Sequence, residues 1–416
     1  MKKCALYIHI PFCKQKCLYC DFQSFANIDN MMKSYIDALE KEIEKKAIKY
    51  EFVSLFIGGG TPSYLSSDLL EKLMNIISKL KFVDNAEKTI ECNPGTIDEE
   101  KLLILKKGGI NRLSFGLQTS DDKLLNKIGR IHDYKTFKEN YYLARKIGFN
   151  NINIDVMFGL PTQSLNGYLE GLQKIIDLNP DHLSVYSLIV EENTSFYKMY
   201  DEGKLELPDE DTERLMYEKG KLVLEENGYK QYEISNFSRK SKECFHNKEY
   251  WKCNEYLGVG VSSSSYINKV RYKNIDGVKN YIEKINNNEE VTLIENVNTI
   301  NDEIEEFMFM GLRMIDGIDE NEFKKRFNKS VDQVYKTVIL DNINKGLLIR
   351  KNNRIYLSEK GIELSNVVMA DMILTWYEKW RKTKKMKANI AIFKIIKKWR
   401  IHLLLTKLLI KNILKP

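Results

Sequence analysis

The chain has 416 residues, 43% of them apolar and 11% aromatic, which makes it too long for one small core and too apolar for a disordered segment. Its net charge of +7 is uneven: residues 376–416 hold 13 Lys or Arg against one acid, Glu378, while the rest carries 52 basic and 57 acidic residues. A mildly acidic body excludes a global footprint for nucleic acid; seven cysteines, an odd number with no export signal ahead of them, argue against a disulfide framework and for reduced cytosolic thiols.

In chain order, "CALYIHI" reads as a first strand that runs into the loop "PFCKQKCLYCDFQSF". A helical pattern follows over "NMMKSYIDALEKEIEKKAIKY", then strands over "FVSLFIGGG", "KTIECNP" and "NRLSFGLQ". The helix "DYKTFKENYYLARKIGF" precedes two more strands, "NINIDVMFGLP" and "HLSVYSLIV". Strand alternating with helix predicts an α/β fold with a parallel sheet, and six such strands over residues 1–190 suit an open or partial (β/α)6 barrel. The first five strands each run out into a polar or glycine-rich element: the cysteines, "GGGTP", Glu91 with "NPG", Gln118 and Asp155. Ligands bind at the carboxyl ends of strands in this architecture, so the pattern predicts a site at one mouth.

From about residue 191 the alternation is lost. The helical stretch "DEDTERLMYEKGKLVLEENG" leads to "YEISNFSRKSKECFHNKEYWKCNEYLGVGVSSSSY", read as a barrel extension over 191–296. Residues 297–375 combine the helix "NDEIEEFMFMGLRM" with a hairpin around "KNN", which predicts a small winged-helix-like α+β domain. The acidic body argues against its use on DNA. In the basic tail, 376–416, Ile392, Ile395, Ile396, Trp399 and Leu403 share one helical face, with Lys394, Lys397 and Lys398 opposite. Its uncharged runs are too short to span a bilayer. It reads either as peripheral membrane contact through 388–416 or as a helix docked on the body or a partner.

Cys13, Cys17 and Cys20 form C-x3-C-x2-C. Offsets of 0, 4 and 7 also stripe a helix face, but Pro11 and the polar Lys14, Gln15 and Lys16 place them in a loop. Structural zinc wants four protein ligands, and no second pair exists; Cys244 and Cys253 are far off and differently spaced. Redox chemistry by Cys17 and Cys20 alone leaves Cys13 without a role. Soft thiolates select iron–sulfur clusters, and three of them leave one iron of a [4Fe–4S] cube open to a small ligand.

This motif, with Tyr19 before the third cysteine, resembles that of the radical S-adenosylmethionine (SAM) enzymes. The resemblance implies a partial (β/α)6 radical SAM barrel in which the open iron chelates the amino and carboxylate groups of SAM. It also implies that Gly59, Gly60 and Thr61 hold the SAM amino group, that Glu91 meets a ribose, and that Tyr7 and Tyr19 belong to the cofactor site. "YIHIPFC", "GGGTPS", "ECNPG", "SFGLQ" and "IDVMFGLP" resemble the oxygen-independent coproporphyrinogen oxidase branch, where Gln118, Arg130 and Asp155 match residues that contact a second SAM. Cys4 and Cys92 are read as core thiols.

Within that branch the oxidases carry a further cysteine two positions past the third, where this chain has Phe22, and an N-terminal arm, where this chain has six residues before Tyr7. Asp21-Phe22 and "HNKEYW" (His246 to Trp251) resemble instead the HemW group of haem chaperones. That likeness implies haem as a further ligand, with His246 as an iron ligand and Cys244 or Cys253 as other candidates. It implies haem-accepting partner proteins, among them membrane respiratory components, and a cytoplasmic protein reaching the inner face of the membrane. If SAM is cleaved, a flavodoxin or ferredoxin is the implied electron donor. A homodimer, covalent haem attachment, enzymatic turnover and a true oxidase activity stay open.

Overall fold

A computed structural model describes residues 1–373, and the basic tail lies outside the described residues. Six parallel strands form the centre: β1 (Lys2–Ile10), β2 (Tyr50–Gly59), β3 (Lys81–Cys92), β4 (Arg112–Gln118), β5 (Ile152–Phe158) and β6 (His182–Ser187), each paired to the next. Helices cross back between them, and their starts are written in the sequence. Ser66, Asp98, Asp121, Asp133 and Ser164 each accept a backbone N–H of the first turn that follows. Gly148, at φ 96°, closes helix Tyr134–Ile147 in the left-handed conformation that glycine adopts without strain.

The sheet does not stop where the alternation does. The hairpin of β7 (Lys230–Glu233) and β8 (Asn236–Ser238) pairs antiparallel with β6. On the other side β9 (Tyr256–Val259) pairs parallel with β1, followed by antiparallel β10 (Ser264–Ile267), β11 (Val270–Asn274) and β12 (Thr292–Val297). The result is a twelve-stranded sheet with β12 and β7 at its two edges, so the barrel is not closed. Among the described residues, no helix is long and apolar enough to cross a membrane.

Side chains alternate between the two faces of the sheet. Leu6, Ile8, Ile10, Leu55, Ile57, Ile90, Leu113, Phe115, Ile152, Ile154, Leu183 and Val185 face the helices in one apolar core. The intervening positions turn inward and are largely polar: Tyr7 and His9, Ser54 and Phe56, Glu87 and Glu91, Arg112, Asn153 and Asp155, His182 and Tyr186. They bond to one another across the interior, as in Asn153 to Ser114 and Asp155, or Tyr186 to Gln118.

Residues 300–372 build a separate apolar core around Phe307, Phe309, Phe323, Tyr335 and Ile339. Helices Ile300–Gly311, Glu320–Phe327 and Val331–Asn344 combine with β13 (Ile318–Asp319), β14 (Leu348–Lys351) and β15 (Arg354–Leu357) in the α–β–α–α–β–β order of a winged helix. The wing turns at Asn352 and Asn353, both at positive φ, as a two-residue hairpin requires. Arg271 of β11 reaches Glu306 of this unit through Nε (2.9 Å) and Nη2 (2.5 Å), with both side chains buried.

Candidate functional site

The loop after β1 is fixed on all sides. Its two ends are tied by Cys13 N–H to the Phe25 carbonyl (2.9 Å) and Phe25 N–H to that of Pro11 (2.7 Å). The glycine-rich end of β2 clamps it through Gly60 N–H on the Ile10 carbonyl and Thr61 N–H on that of Phe12 (both 2.8 Å). Its middle meets the segment after β4, where Leu18 N–H reaches the Ile128 carbonyl, and helix Ser195–Asp201, where Phe196 N–H reaches that of Leu18.

Cys13, Cys17 and Cys20 are free thiols on this loop, the first buried and the others partly exposed. Each sulfur has a polar neighbour: Thr61 Oγ1 donates to Cys13 (3.6 Å), Arg130 Nη1 to Cys17 (3.4 Å), and Ser24 Oγ lies 3.9 Å from Cys20. Burial pushes the Cys13 thiol above its ordinary range and Cys20 to about 11. Among the described residues no three Cys, His, Asp or Glu side chains converge as one metal ion requires. A cube that takes one thiolate per corner needs no such convergence, and soft sulfur ligands with N–H and O–H donors fit it.

A hydrogen-bonded chain joins two of the cysteines. Arg130 Nη2 donates to Asn93 Oδ1 (2.7 Å), Asn93 Nδ2 to Thr61 Oγ1 (2.7 Å), and Thr61 to Cys13, while the other guanidinium nitrogen meets Cys17. Arg130 also donates to the Gly116 carbonyl of β4. Asn93 is therefore a functional candidate that the sequence reading passed over, although it stands within the quoted "ECNPG".

Glu91 accepts Gly59 N–H at 3.0 Å, and burial, with Asp155 nearby, pushes its carboxyl up to about 8. Asp155 is also raised, by burial first, against an Asn153 hydrogen bond (2.7 Å) that favours its charged form. Gln118 sits at φ 78° with its Oε1 accepting from Tyr186 (2.9 Å). Tyr19 packs towards Phe196, and Tyr7 points inward with its hydroxyl 3.0 Å from His9 Nδ1. The three cysteines and the other expected residues, except His246, thus share the carboxyl end of the sheet.

His246 lies at the other end. Helix Phe245–Trp251 sits under the amino-terminal half of the strands, held by Glu87, which accepts Phe245 N–H and His246 N–H (both 3.1 Å) and the Cys244 thiol. The His246 ring is wholly buried, with Nδ1 on Ser54 Oγ (2.9 Å) and Nε2 on Tyr250 OH (2.8 Å). Burial lowers its pKa to about 3. In this arrangement neither nitrogen is free to meet an iron, so His246 ties the helix to the barrel floor. Cys244 is equally buried.

Comparison with known proteins agrees with this geometry. The radical SAM superfamily pattern matches residues 7–175 and the HemN C-terminal domain pattern residues 299–364. The heme chaperone HemW of Bacillus subtilis is 40% identical over 369 residues, covering 88% of this chain and 97% of that protein. The Escherichia coli protein of the same name is 38% identical over 265 residues, 62% of this chain and 69% of its own length. Among solved structures, E. coli coproporphyrinogen III oxidase (HemN), described as a radical SAM enzyme, superposes with a TM-score of 0.79 at 25% identity, covering 89% of this chain and 90% of that one.

Proposed function

Because this chain belongs to the HemW family, in the coproporphyrinogen-oxidase-like branch of the radical SAM superfamily, we propose that it is a haem chaperone: a protein that holds a [4Fe–4S] cluster and SAM at the barrel mouth and passes haem to acceptor proteins. The proposal gives the cluster to Cys13, Cys17 and Cys20, and SAM to Tyr7, Tyr19, Gly59, Gly60, Thr61, Glu91, Gln118, Arg130 and Asp155. Its setting is the cytoplasm and the inner face of the membrane, where respiratory components are among the acceptors.

The observation that supports the chemistry best is the chain Arg130–Asn93–Thr61–Cys13 with its second branch to Cys17. A guanidinium that stays protonated in proteins offsets thiolate charge and fixes the spacing of two ligands. The backbone N–H groups of Gly59, Gly60 and Thr61 are all engaged inside the protein. What that glycine edge can offer a ligand is carbonyl oxygen, which suits an ammonium group. Glu91, holding its proton near neutral pH, can both donate to and accept from a ribose diol. When bound there, the cluster supplies one open iron for SAM and one electron for its sulfonium.

A haem-ligand role for His246 requires helix Phe245–Trp251 to leave the floor, because both ring nitrogens are engaged. The deciding experiment is anaerobic. Protein reconstituted with iron and sulfide is expected to bind about four irons per chain, to take up haem stoichiometrically and to yield it to an apo-haemoprotein. Conversion of coproporphyrinogen to protoporphyrinogen would overturn the carrier reading in favour of an oxidase, and absence of haem uptake would overturn it outright.

A further inference from the structure

On one side the sheet ends in a strand with nothing beside it. β12 (Thr292–Val297) pairs with β11, and among the described residues no strand meets its other edge. Leu293, Ile294 and Val297 are 56, 65 and 61% exposed, and Ile300, which opens the next helix, is 46% exposed. Four large apolar side chains thus stand in solvent within eight residues. Ile294 lies opposite Tyr272, which packs against the helix-covered core, so the apolar face of the sheet runs on past its cover. Single exposed apolar residues need no explanation, but a contiguous patch marks an interaction surface.

Edge strands are commonly blunted by Lys or Pro, and β12 has neither. It carries a bulge instead: Arg271 pairs with Asn296 and Tyr272 with Ile294, which leaves Glu295 as the extra residue. Residues 285–312 hold seven acids and no Lys or Arg. Glu289 and Glu290 meet Lys284 (2.7 Å) and Lys45 (3.8 Å), and Glu303 and Glu306 meet Lys269 and Arg271, whereas no ion pair reaches Glu295 among the described residues. The edge therefore asks for an occupant that is both apolar and basic. A second copy does not qualify, because pairing β12 with β12 sets one acidic edge against another.

The chain supplies such an occupant itself. Residues 388–416 hold seven Lys or Arg and no acid, among Ile, Leu, Phe and Trp. Their point of departure is close. Helix Ser365–Asp371 packs on helix Ile300–Gly311, which starts two residues beyond β12. The path back to the edge is about one helix of 12 residues, roughly 18 Å. The fourteen residues 374–387 cover up to about 46 Å when extended. So short a tether holds the segment at an effective concentration on the order of 1 mM, far above that of a second copy in dilute solution. We propose that residues 388–416 of the same chain cover the β12 edge, with apolar side chains on Leu293, Ile294, Val297 and Ile300 and lysines facing Glu295. The cover takes the apolar edge out of water and denies it to other chains. Because β12 is four strands from β1 and its cysteine loop, the proposal stands or falls separately from the haem reading.

The test uses the full chain, mixed in equal parts from unlabelled and nitrogen-15-labelled preparations, and a carbodiimide that joins touching carboxylates and lysines. Mass spectrometry is expected to find Glu295 joined to a lysine of 388–416, with both peptides of one isotope. Mixed-isotope pairs would put another copy on the edge and overturn the proposal, as would the absence of any link between Glu295 and the segment. Amide hydrogen exchange is the second readout. Ile294→Lys/Glu295→Lys places charges of the segment's own sign at exposed positions. Exchange in β1 to β6 should stay as in wild type, while residues 388–416 should lose their protection. Equal exchange of the segment in wild type and variant would show that the edge is not its seat. Protection that arises only when phosphatidylglycerol vesicles are added would assign the segment to lipid and equally overturn the proposal.

Discussion

Gly59→Ala tests whether the glycine at the end of β2 is there for space. Gly59 has φ 110°, outside the range side chains tolerate, and an added Cβ would lie 2.3 Å from His9 Cε1, 2.4 Å from Nδ1 and 2.9 Å from Nε2. The ring cannot retreat freely, because Tyr7 OH and the Gln23 carbonyl hold its two nitrogens. Backbone strain costs about 1–2 kcal/mol. Overpacking adds roughly 1–3 kcal/mol, and displacing His9 from a buried partner adds about 1 kcal/mol more. The sum, roughly 3–6 kcal/mol, is a large share of a stability of about 5–15 kcal/mol. Urea denaturation followed by circular dichroism measures it. In a His9→Ala background the clash is gone, and Gly59→Ala should then cost only the strain, about 1–2 kcal/mol. If the full cost persists without the His9 ring, or Gly59→Ala unfolds like wild type, the steric reasoning fails.

Three further outcomes are expected. Arg271→Met leaves Glu306 buried without its partner and should cost about 3–5 kcal/mol in urea melts, whereas Arg271→Met/Glu306→Leu should recover most of it; a double variant as weak as the single one refutes the pairing. The Glu91 carboxyl is held near 8 in the folded chain, above the ordinary value of 4.5. The folded state therefore keeps a proton the unfolded chain has lost, so this group's contribution is present at low pH and lost as pH rises from about 4.5 through about 8. One proton limits the slope to at most roughly 1.4 kcal/mol per pH unit. Melting of the unliganded protein should decline over that window, and Glu91→Gln should flatten the decline; an unchanged slope in the variant counts against the assignment. His246→Ala should cost about 2–4 kcal/mol through lost packing and two lost hydrogen bonds while haem titration of the folded variant stays as in wild type. Loss of haem uptake in a folded His246→Ala protein would show that the floor helix opens.

The six central strands and the cysteine loop were legible because their signals are local. Each strand is a run long enough for apolar and polar positions to separate, and the first five end in residues with no reason to be polar unless a mouth is there. The leading edge was not legible. Strand β9 is four residues long and pairs with β1 across some 250 positions of sequence, as Ala5 with Tyr256. A run that short carries no periodicity, and nothing local says which strand it will join. Asn93 escaped notice because its importance lies in bridging Arg130 to Thr61, residues of three separate segments that meet only in the fold. His246 was read as a haem-iron ligand from the aromatic Tyr250 and Trp251 that follow it in the sequence. In the fold one of those neighbours, Tyr250, packs against its ring together with Phe56 of β2 and helps to bury it.

Position 22 shows how to weigh a departure from a family pattern. The oxidase-like motif has cysteine where this chain has Phe22, and the sequence alone leaves open whether a ligand has been lost. In the fold, the Phe22 carbonyl accepts Ser24 N–H (2.7 Å) and Lys16 Nζ (3.0 Å), and its side chain is 47% exposed. The loop thus turns at this residue with its backbone engaged, its side chain open to solvent rather than buried beside Cys13. A thiol placed on this backbone would inherit that exposure, apart from the buried surroundings of Cys13. Divergence between carrier and oxidase is then to be sought where the two would handle a macrocycle, at the mouth and at the floor helix, and not in the number of cysteines.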